Sequence, residues 1–435
     1  MITPQDTIIT VLGESKHQSS LREKIWGREK VPFVTDKAKV RYQIETGVAH
    51  ERPADVFFEL AGPREKIFFN PKETRAAIVT CGGVSPGLNN VIRSAVHELA
   101  VNYGIREVWG IRYGYQGLNP AIGEPPMLLD IDKVTGIHED GGTILGTSRG
   151  AVAPEVMVDF LLEKKINILL CIGGDGTQRG AHEIFLEAQK RKAPLAVIGI
   201  PKTIDNDIPF VSRTFGFVTA IEKAKEILDC AHVEASSAMN GIGLVKLMGR
   251  FAGFIACGAT LASQNVNFTL IPEVSFKLEG ENGFLNALRK RLLARRHAVV
   301  VVAEGAGQDL LGGLGDKKDA SGNLLFNNIG EYLKQRIEKY FKEQNMPIGM
   351  KYFDPSYFIR SVPAVCADSV LCDQLARLAV HAGMAGKTGM LIGLTNNAHI
   401  HVPIATVVRE KKRVYPDGEL WVSVLAATNQ PPVFA

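Results

Sequence analysis

The sequence predicts an α/β protein made of two doubly wound domains, each with a mainly parallel sheet. Three observations predict it. The chain has 435 residues, more than one ordinary core takes. From Arg75 onward, short β-rich runs alternate with amphipathic helical segments, as in parallel sheets covered on both faces. Three consecutive strands end in glycine or acidic turns, where open α/β sheets bind their ligands.

Residues 1–72 carry many charges and scattered aromatics such as Trp26, Phe33, Phe57 and Phe58, without a strand–helix rhythm. Their apolar content reads as an ordered arm. RAAIVT (75–80) is a strand, CGGVSPGLNN (81–90) a turn, and VIRSAVHELAVNYG (91–104) a helix. The strand REVWGIR (106–112) follows. Next come the helix PEVMVDFLLEKK (154–165), the strand NILLCIGG (167–174) and a helix over 179–192. LAVIGI (195–200) runs into PKTIDNDI (201–208). GIGLVKL (241–247), a helix near 250–262, NFTLI (267–271), a helix near 282–296 and AVVVVAEG (298–305) repeat the rhythm. Residues 312–323 read as a polar surface loop. Helices follow over 328–343 and 366–382, and VYPDGELW (414–421) reads as a hairpin around Asp417–Gly418. The expected domains are 73–220 with 361–405, and 221–360 with 406–435, preceded by the arm.

Composition excludes several classes. Apolar residues make up 46% and charged residues 22%, as in globular proteins. A net charge of +4 without a basic block argues against a nucleic-acid partner. The basic cluster Arg289, Lys290, Arg291, Arg295 and Arg296 reads as a solvated helix face. No apolar run approaches the roughly 18 residues of a membrane helix, so no membrane partner is expected. The N-terminus lacks the pattern of a signal peptide. The six cysteines (81, 171, 230, 257, 366 and 372) form no CxxC pair, which fits a reducing cytoplasm.

The strand-end turns carry the chemistry. Gly82 and Gly83 let backbone approach a phosphate, and a helix beginning near Asn89 would point its amides at the anion. In GGDGTQRG, Asp175 sits among Gly173, Gly174, Gly176 and Gly180. A lone carboxylate beside a phosphate repels it, and Mg²⁺ between them reverses the sign. Helix capping by Asp175 is the competing reading. In PKTIDNDI, Asp205 and Asp207 would share one face of an extended segment. One could take a proton from a hydroxyl while the other orients it, and an Asx-turn cluster is the plainer alternative. Lys202 and Thr203 add a cation and a hydroxyl suited to a transferring phosphoryl group. Arg149, Arg250 and Arg360 add cations at element boundaries, Lys351 could grip a sugar phosphate, and Glu304 could accept hydrogen bonds from sugar hydroxyls. The residues alone therefore point to phosphoryl transfer from a Mg-bound polyphosphate to a hydroxyl.

The ordered set GGVSPGLN, GYQGL, LGTSRG, GGDGTQRGA, PKTIDNDI, VKLMGR, AEGAG and YFIR, over residues 75–405, resembles the 6-phosphofructokinase family. The likeness is to its longer ATP-using branch, found in plants, protists and some bacteria. It implies an active site between the two domains and transfer of the γ-phosphoryl group of ATP to O1 of fructose 6-phosphate. By motif position, Asp205 would be the general base and Asp175 would hold Mg²⁺. Gly83, Arg149, Gly150, Gly174, Gly176 and Thr177 would line the nucleotide phosphates, with Arg149, Lys202 and Thr203 assisting transfer. Thr203, Ile204, Asp205, Met248, Gly249, Arg250, Glu304, Lys351, Tyr357 and Arg360 would bind the sugar phosphate. A homotetramer or homodimer and allosteric control are also implied.

Two residues depart from the short bacterial pattern. Gly241 stands where an arginine reaches a neighbouring subunit, and Lys202 stands where those enzymes have glycine. Lysine there also occurs in pyrophosphate-dependent relatives. Those relatives have GGDD, whereas this chain has Gly176 in place of the second aspartate. An added carboxylate about 4 Å from a phosphate charge would repel it by about 4 kcal/mol at an effective dielectric near 20. ATP is thus the expected donor. Pyrophosphate is the alternative, and a silent sugar-phosphate sensor is a third reading. NAD kinases share GGDGT but give TIDND and MGR no place.

Overall fold

The computed structural model describes residues 2–21, 33–45, 55–312 and 326–435. Trp26 and residues 313–323 of the expected surface loop lie outside them. The chain divides into two compact units. The first comprises Met1–Thr203, Ile208–Gly216 and Ser361–Lys411, and the second Ile204–Asp207, Phe217–Arg360 and Lys412–Ala435.

The first unit is built on a nine-stranded sheet. Its parallel centre runs Glu107–Ile111, Arg75–Thr80, Ile168–Gly173, Ala196–Pro201 and Met390–Thr395. The edges are antiparallel: Met127–Leu129 on one side, and Ala398–Pro403, Phe57–Leu60 and Lys39–Arg41 on the other. Side chains alternate between two cores, as the two-residue strand period requires. Ile78, Leu170 and Ile198 face the helices Leu88–His97 and Cys366–Met384. Val79, Cys171 and Val197 face Pro154–Glu163 and Asp175–Lys190. Near-continuous apolar strands follow from burial on both faces.

The second unit holds four parallel strands in the order Phe268–Leu270, His297–Ala303, Gly241–Leu247 and Gly349–Phe353. Val245, Leu247 and Val301 pack with the helices Phe217–Ser237 and Phe254–Ser263 on one face. Leu244, Val300 and Val302 pack with Phe284–Arg295 and Ile329–Glu343 on the other. Both sheets are doubly wound, as the alternation predicts.

The structure differs from the sequence reading in three local features. VYPDGELW is a turn leading into the helix Glu419–Thr428, with Gly418 as its N-cap, and not a hairpin. Gly418 N–H closes the turn on the Tyr415 carbonyl. Leu420, Trp421, Val424 and Leu425 recur at helical spacing, and Trp421 is buried in the core, so helix periodicity outweighs the Asp-Gly signal. In the N-terminal segment, Phe57–Leu60 joins the large sheet and Phe58 is fully buried. Strands of two to four residues are too short to display a period. The helix after CGGVSPG begins at Leu88 and gives way to π-helical turns over Glu98–Tyr103, closed by left-handed Gly104.

Candidate active site

On the first unit, three neighbouring parallel strands end side by side. The ladder runs on past their ends: Cys81 N–H donates to the Ile172 carbonyl, and Lys202 N–H to the Gly173 carbonyl. The turns at 81–83, 174–177 and 202–203 are therefore adjacent. The Lys202 ammonium donates to the Gly83 carbonyl. Gly82 adopts a φ of 82°, the left-handed region that glycine enters without cost. Its carbonyl accepts from the Thr147 hydroxyl at 2.6 Å, and its N–H donates to the Ser148 carbonyl at 3.2 Å. These bonds dock the LGTSRG loop on the CGG turn and leave Arg149 and Gly150 exposed beside it.

The glycines of GGDG serve different ends. A Cβ on Gly173 would lie 2.0 Å from the Thr177 hydroxyl oxygen, and one on Gly174 would lie 3.2 Å from the Lys202 carbonyl. Packing requires glycine at 173 and leaves little room for a side chain at 174. A Cβ on Gly176 would meet nothing within 4 Å. Its missing side chain therefore has no packing reason.

Gly174 is the N-cap of the helix Asp175–Lys190, and Asp175 is its first residue, so the capping alternative for Asp175 falls away. Asp175 instead pairs with Arg179, and its Oδ2 lies 3.5 Å from the Lys411 ammonium. Among the described residues no three His, Cys, Asp or Glu side chains converge on a metal position. One carboxylate is enough for Mg²⁺, which takes its remaining ligands from phosphate and water.

Supporting residues also emerge. Gln178 is fully buried and its amide donates to the Gly173 carbonyl at 3.0 Å. The Tyr115 hydroxyl donates to the Thr177 carbonyl at 2.7 Å, which explains GYQGL as a brace for GGDGT. The sequence reading left Gln178 and Arg179 without a role and did not single out Lys411.

PKTIDNDI is divided between the units after Thr203. The Thr203 carbonyl accepts from the Thr214 hydroxyl at 2.7 Å. Asn206 has a φ of 55°, so the expected extended segment is a turn, and Asp205 and Asp207 do not share one strand face. A left-handed residue breaks the two-residue alternation, and asparagine tolerates it. Asp205 is half-buried and Asp207 is buried. Ile204 places its side chain in the second unit's core.

The second unit carries the remaining candidates at its own strand ends. Leu247 pairs with Ala303, so Met248–Arg250 and Glu304 emerge together. Glu304 N–H donates to the Leu247 carbonyl at 2.9 Å, and Gly305 N–H to the Gly249 carbonyl at 3.2 Å. Gly249 has a φ of 131°, and a Cβ there would lie 2.8 Å from the Ala252 carbonyl. Burial pushes the Glu304 carboxyl above the usual carboxylate range, against the pull of Lys246, Arg250 and Arg360. Arg250 lies 4.8 Å from the Phe326 ring centre, and Arg360 4.9 Å from that of the exposed Tyr357. Lys246 pairs with Asp354 at 2.7 Å. The sequence reading missed Lys246; its signal was a lone lysine inside the apolar strand GIGLVKL. Lys351 sits mid-strand opposite Gly243, two residues before the strand's end, and is exposed. Glu273 accepts from Gly253 N–H and Val414 N–H, a bracing role inside the unit.

The Phosphofructokinase family model matches residues 75–383, well over half of the chain. The chain belongs to the phosphofructokinase family. Among family members it is 48% identical to an ATP-dependent 6-phosphofructokinase of Borreliella burgdorferi, covering 98% of this chain and 97% of that one. It is 47% identical to ATP-dependent 6-phosphofructokinase 1 of Arabidopsis thaliana, over 88% of this chain and 80% of that one. A solved phosphofructokinase from Marinobacter aquaeolei, described as pyrophosphate-dependent, shares the fold. Its TM-score is 0.66 and its identity 19%, over 82% of this chain and 91% of that one. Likeness to a phosphofructokinase at that identity speaks for architecture alone.

Proposed function

We propose that this protein transfers the γ-phosphoryl group of Mg-ATP to O1 of fructose 6-phosphate, giving fructose 1,6-bisphosphate and ADP. The observation that carries the reading is the convergence of the Gly83 turn, Asp175 and the Lys202 ammonium at adjacent strand ends. ATP-dependent relatives of nearly full length support the same activity.

Asp175 would hold Mg²⁺, which supplies charge neutralisation on the phosphate oxygens when bound. Gly83, Gly150, Gly174, Gly176 and Thr177 would leave room and backbone donors for the phosphates. Arg149 and Lys202 would offset charge as the bond between the γ-phosphorus and the β-bridging oxygen breaks. Asp205 would take the proton from O1 as O1 bonds to phosphorus, and ADP would leave with the electron pair. Thr203 and the backbone of Ile204 would contact the acceptor. Arg250 and Arg360, with Met248, Gly249, Tyr357 and Lys351, would bind the sugar phosphate, and Glu304 would bond its hydroxyls.

Gly176 supports ATP over pyrophosphate as donor, because the empty space at its Cβ leaves a ligand as the reason for glycine. Lys202 favours the second reading, with pyrophosphate as donor. Initial rates against fructose 6-phosphate, with each donor at matched concentration and with and without AMP, separate the two. Turnover with ATP alone is expected; turnover with pyrophosphate alone would reverse the assignment.

Self-association as a homodimer or homotetramer and a cytoplasmic location belong to the same reading, carried by family membership. Among the described residues no helix is long and apolar enough to cross a membrane. Light scattering on the purified chain tests the assembly.

A further inference from the structure

Asp175 shares its carboxylate between two cations. Arg179, one helical turn on, forms an ion pair with it, and the Lys411 ammonium lies 3.5 Å from the same oxygen. An Asp–Arg pair four residues apart is an ordinary helix-stabilising contact. Lys411 is different: it belongs to the segment after the short helix Ile404–Val407, far away in sequence. Helix stability does not require it. The Lys411 side chain is 27% exposed and that of Asp175 20%, so solvent screens this pair only in part.

We propose that Arg179 and Lys411 make metal binding at Asp175 conditional on a bound polyphosphate. The proposal rests on the reading of Asp175 as a metal ligand. A divalent cation that approaches this carboxylate alone competes with two positive charges for one pair of oxygens. A nucleoside polyphosphate brings several negative charges, which offset the two side chains and the metal together. The guanidinium and ammonium carry N–H donors suited to its oxygens. The coupling is reciprocal: the nucleotide tightens the metal by the same factor by which the metal tightens the nucleotide. Metal and nucleotide are thereby taken up as one ligand, and free divalent cations are refused.

The test uses Mn²⁺ as the probe, with free ion counted by electron paramagnetic resonance, on the full chain with and without ADP. The Arg179→Gln, Lys411→Met double variant is expected to bind Mn²⁺ alone roughly three- to tenfold more tightly than wild type. The ratio of Mn²⁺ Kd without ADP to that with ADP should shrink by a similar factor. Unchanged Mn²⁺ affinity and an unchanged ratio overturn the proposal. Asp175→Asn keeps the two readings apart. If it abolishes ADP-dependent Mn²⁺ binding while the double variant behaves as wild type, Asp175 remains a metal ligand and only the present proposal falls. If Asp175→Asn binds Mn²⁺ with ADP as wild type does, the metal role of Asp175 falls and the proposal with it.

Discussion

The Lys202 ammonium donates a hydrogen bond to the Gly83 carbonyl, joining two strand-end turns more than a hundred residues apart in sequence. Lys202 is nearly buried, so its charge is strongly felt there. Lys202→Met leaves that carbonyl short of a partner. Stability should fall by about 1–3 kcal/mol, read as a lowered denaturation midpoint. Activity should fall further than stability explains, with kcat down by roughly tenfold or more from the lost cation. Wild-type kcat in a folded Lys202→Met enzyme would remove Lys202 from the transfer step.

Gly176 gives a cleaner test of the donor. Its Cβ position is open, so neither alanine nor aspartate should disturb the fold. Gly176→Ala should raise stability by up to about 0.5–1 kcal/mol through reduced backbone entropy, and should raise the KM for ATP only modestly, by the bulk of one methyl group. Gly176→Asp should raise that KM by tenfold or more. The alanine variant separates charge from bulk: equal KM values for the two variants would contradict repulsion as the basis of donor choice.

Asp205→Asn keeps shape and removes the base. The expected result is a kcat lowered by roughly 10² to 10⁴ with ATP affinity nearly unchanged. Pre-steady-state phosphoryl transfer and nucleotide binding, measured on the same preparation, check it. A variant with nearly full turnover would show that another group takes the O1 proton.

His381 predicts acid sensitivity in the first unit. Burial, then the nearby Arg377, lowers its pKa from 6.5 to about 3. Its Nδ1 lies 2.9 Å from the Tyr103 hydroxyl oxygen. The neighbouring Glu98 carboxyl, 3.7 Å from the imidazole, is already engaged by the Arg377 guanidinium at 2.7 Å. The folded state thus binds this proton less readily than the unfolded chain. The contribution of neutral His381 is fully present above pH 6.5 and is lost as pH falls toward 3. Stability measured from pH 7 to pH 4 should fall less steeply in His381→Gln than in wild type. Parallel curves would mean that His381 titrates alike in both states.

Trp421 anchors the helix that the sequence reading takes for a hairpin. It is 2% exposed. Trp421→Ala should cost about 3–5 kcal/mol in the second unit, measured by denaturant unfolding. A cost below about 1 kcal/mol would be out of keeping with a core position.

Much of the fold was legible because the signals are local. Arg75–Thr80, Ile168–Gly173 and Ala196–Pro201 are apolar runs that leave no choice but burial on both faces. The Asp417–Gly418 turn was misread because Asp-Gly serves a hairpin and a helix start equally well, and Trp421 decides only through its burial. The two-residue spacing of Asp205 and Asp207 was misread because spacing says nothing of φ at Asn206.

By itself, the sequence determined that glycines and carboxylates follow strand ends, since the order of apolar runs and turns is written along the chain. It also determined Gly176, the residue on which the donor reading turns. Only the tertiary structure decided which polar groups meet: Lys202 with the Gly83 carbonyl, Lys246 with Asp354, and Lys411 with Asp175. Periodicity reports how each segment is buried, whereas an ion pair depends on where two distant segments are brought by packing, and no local pattern encodes that distance.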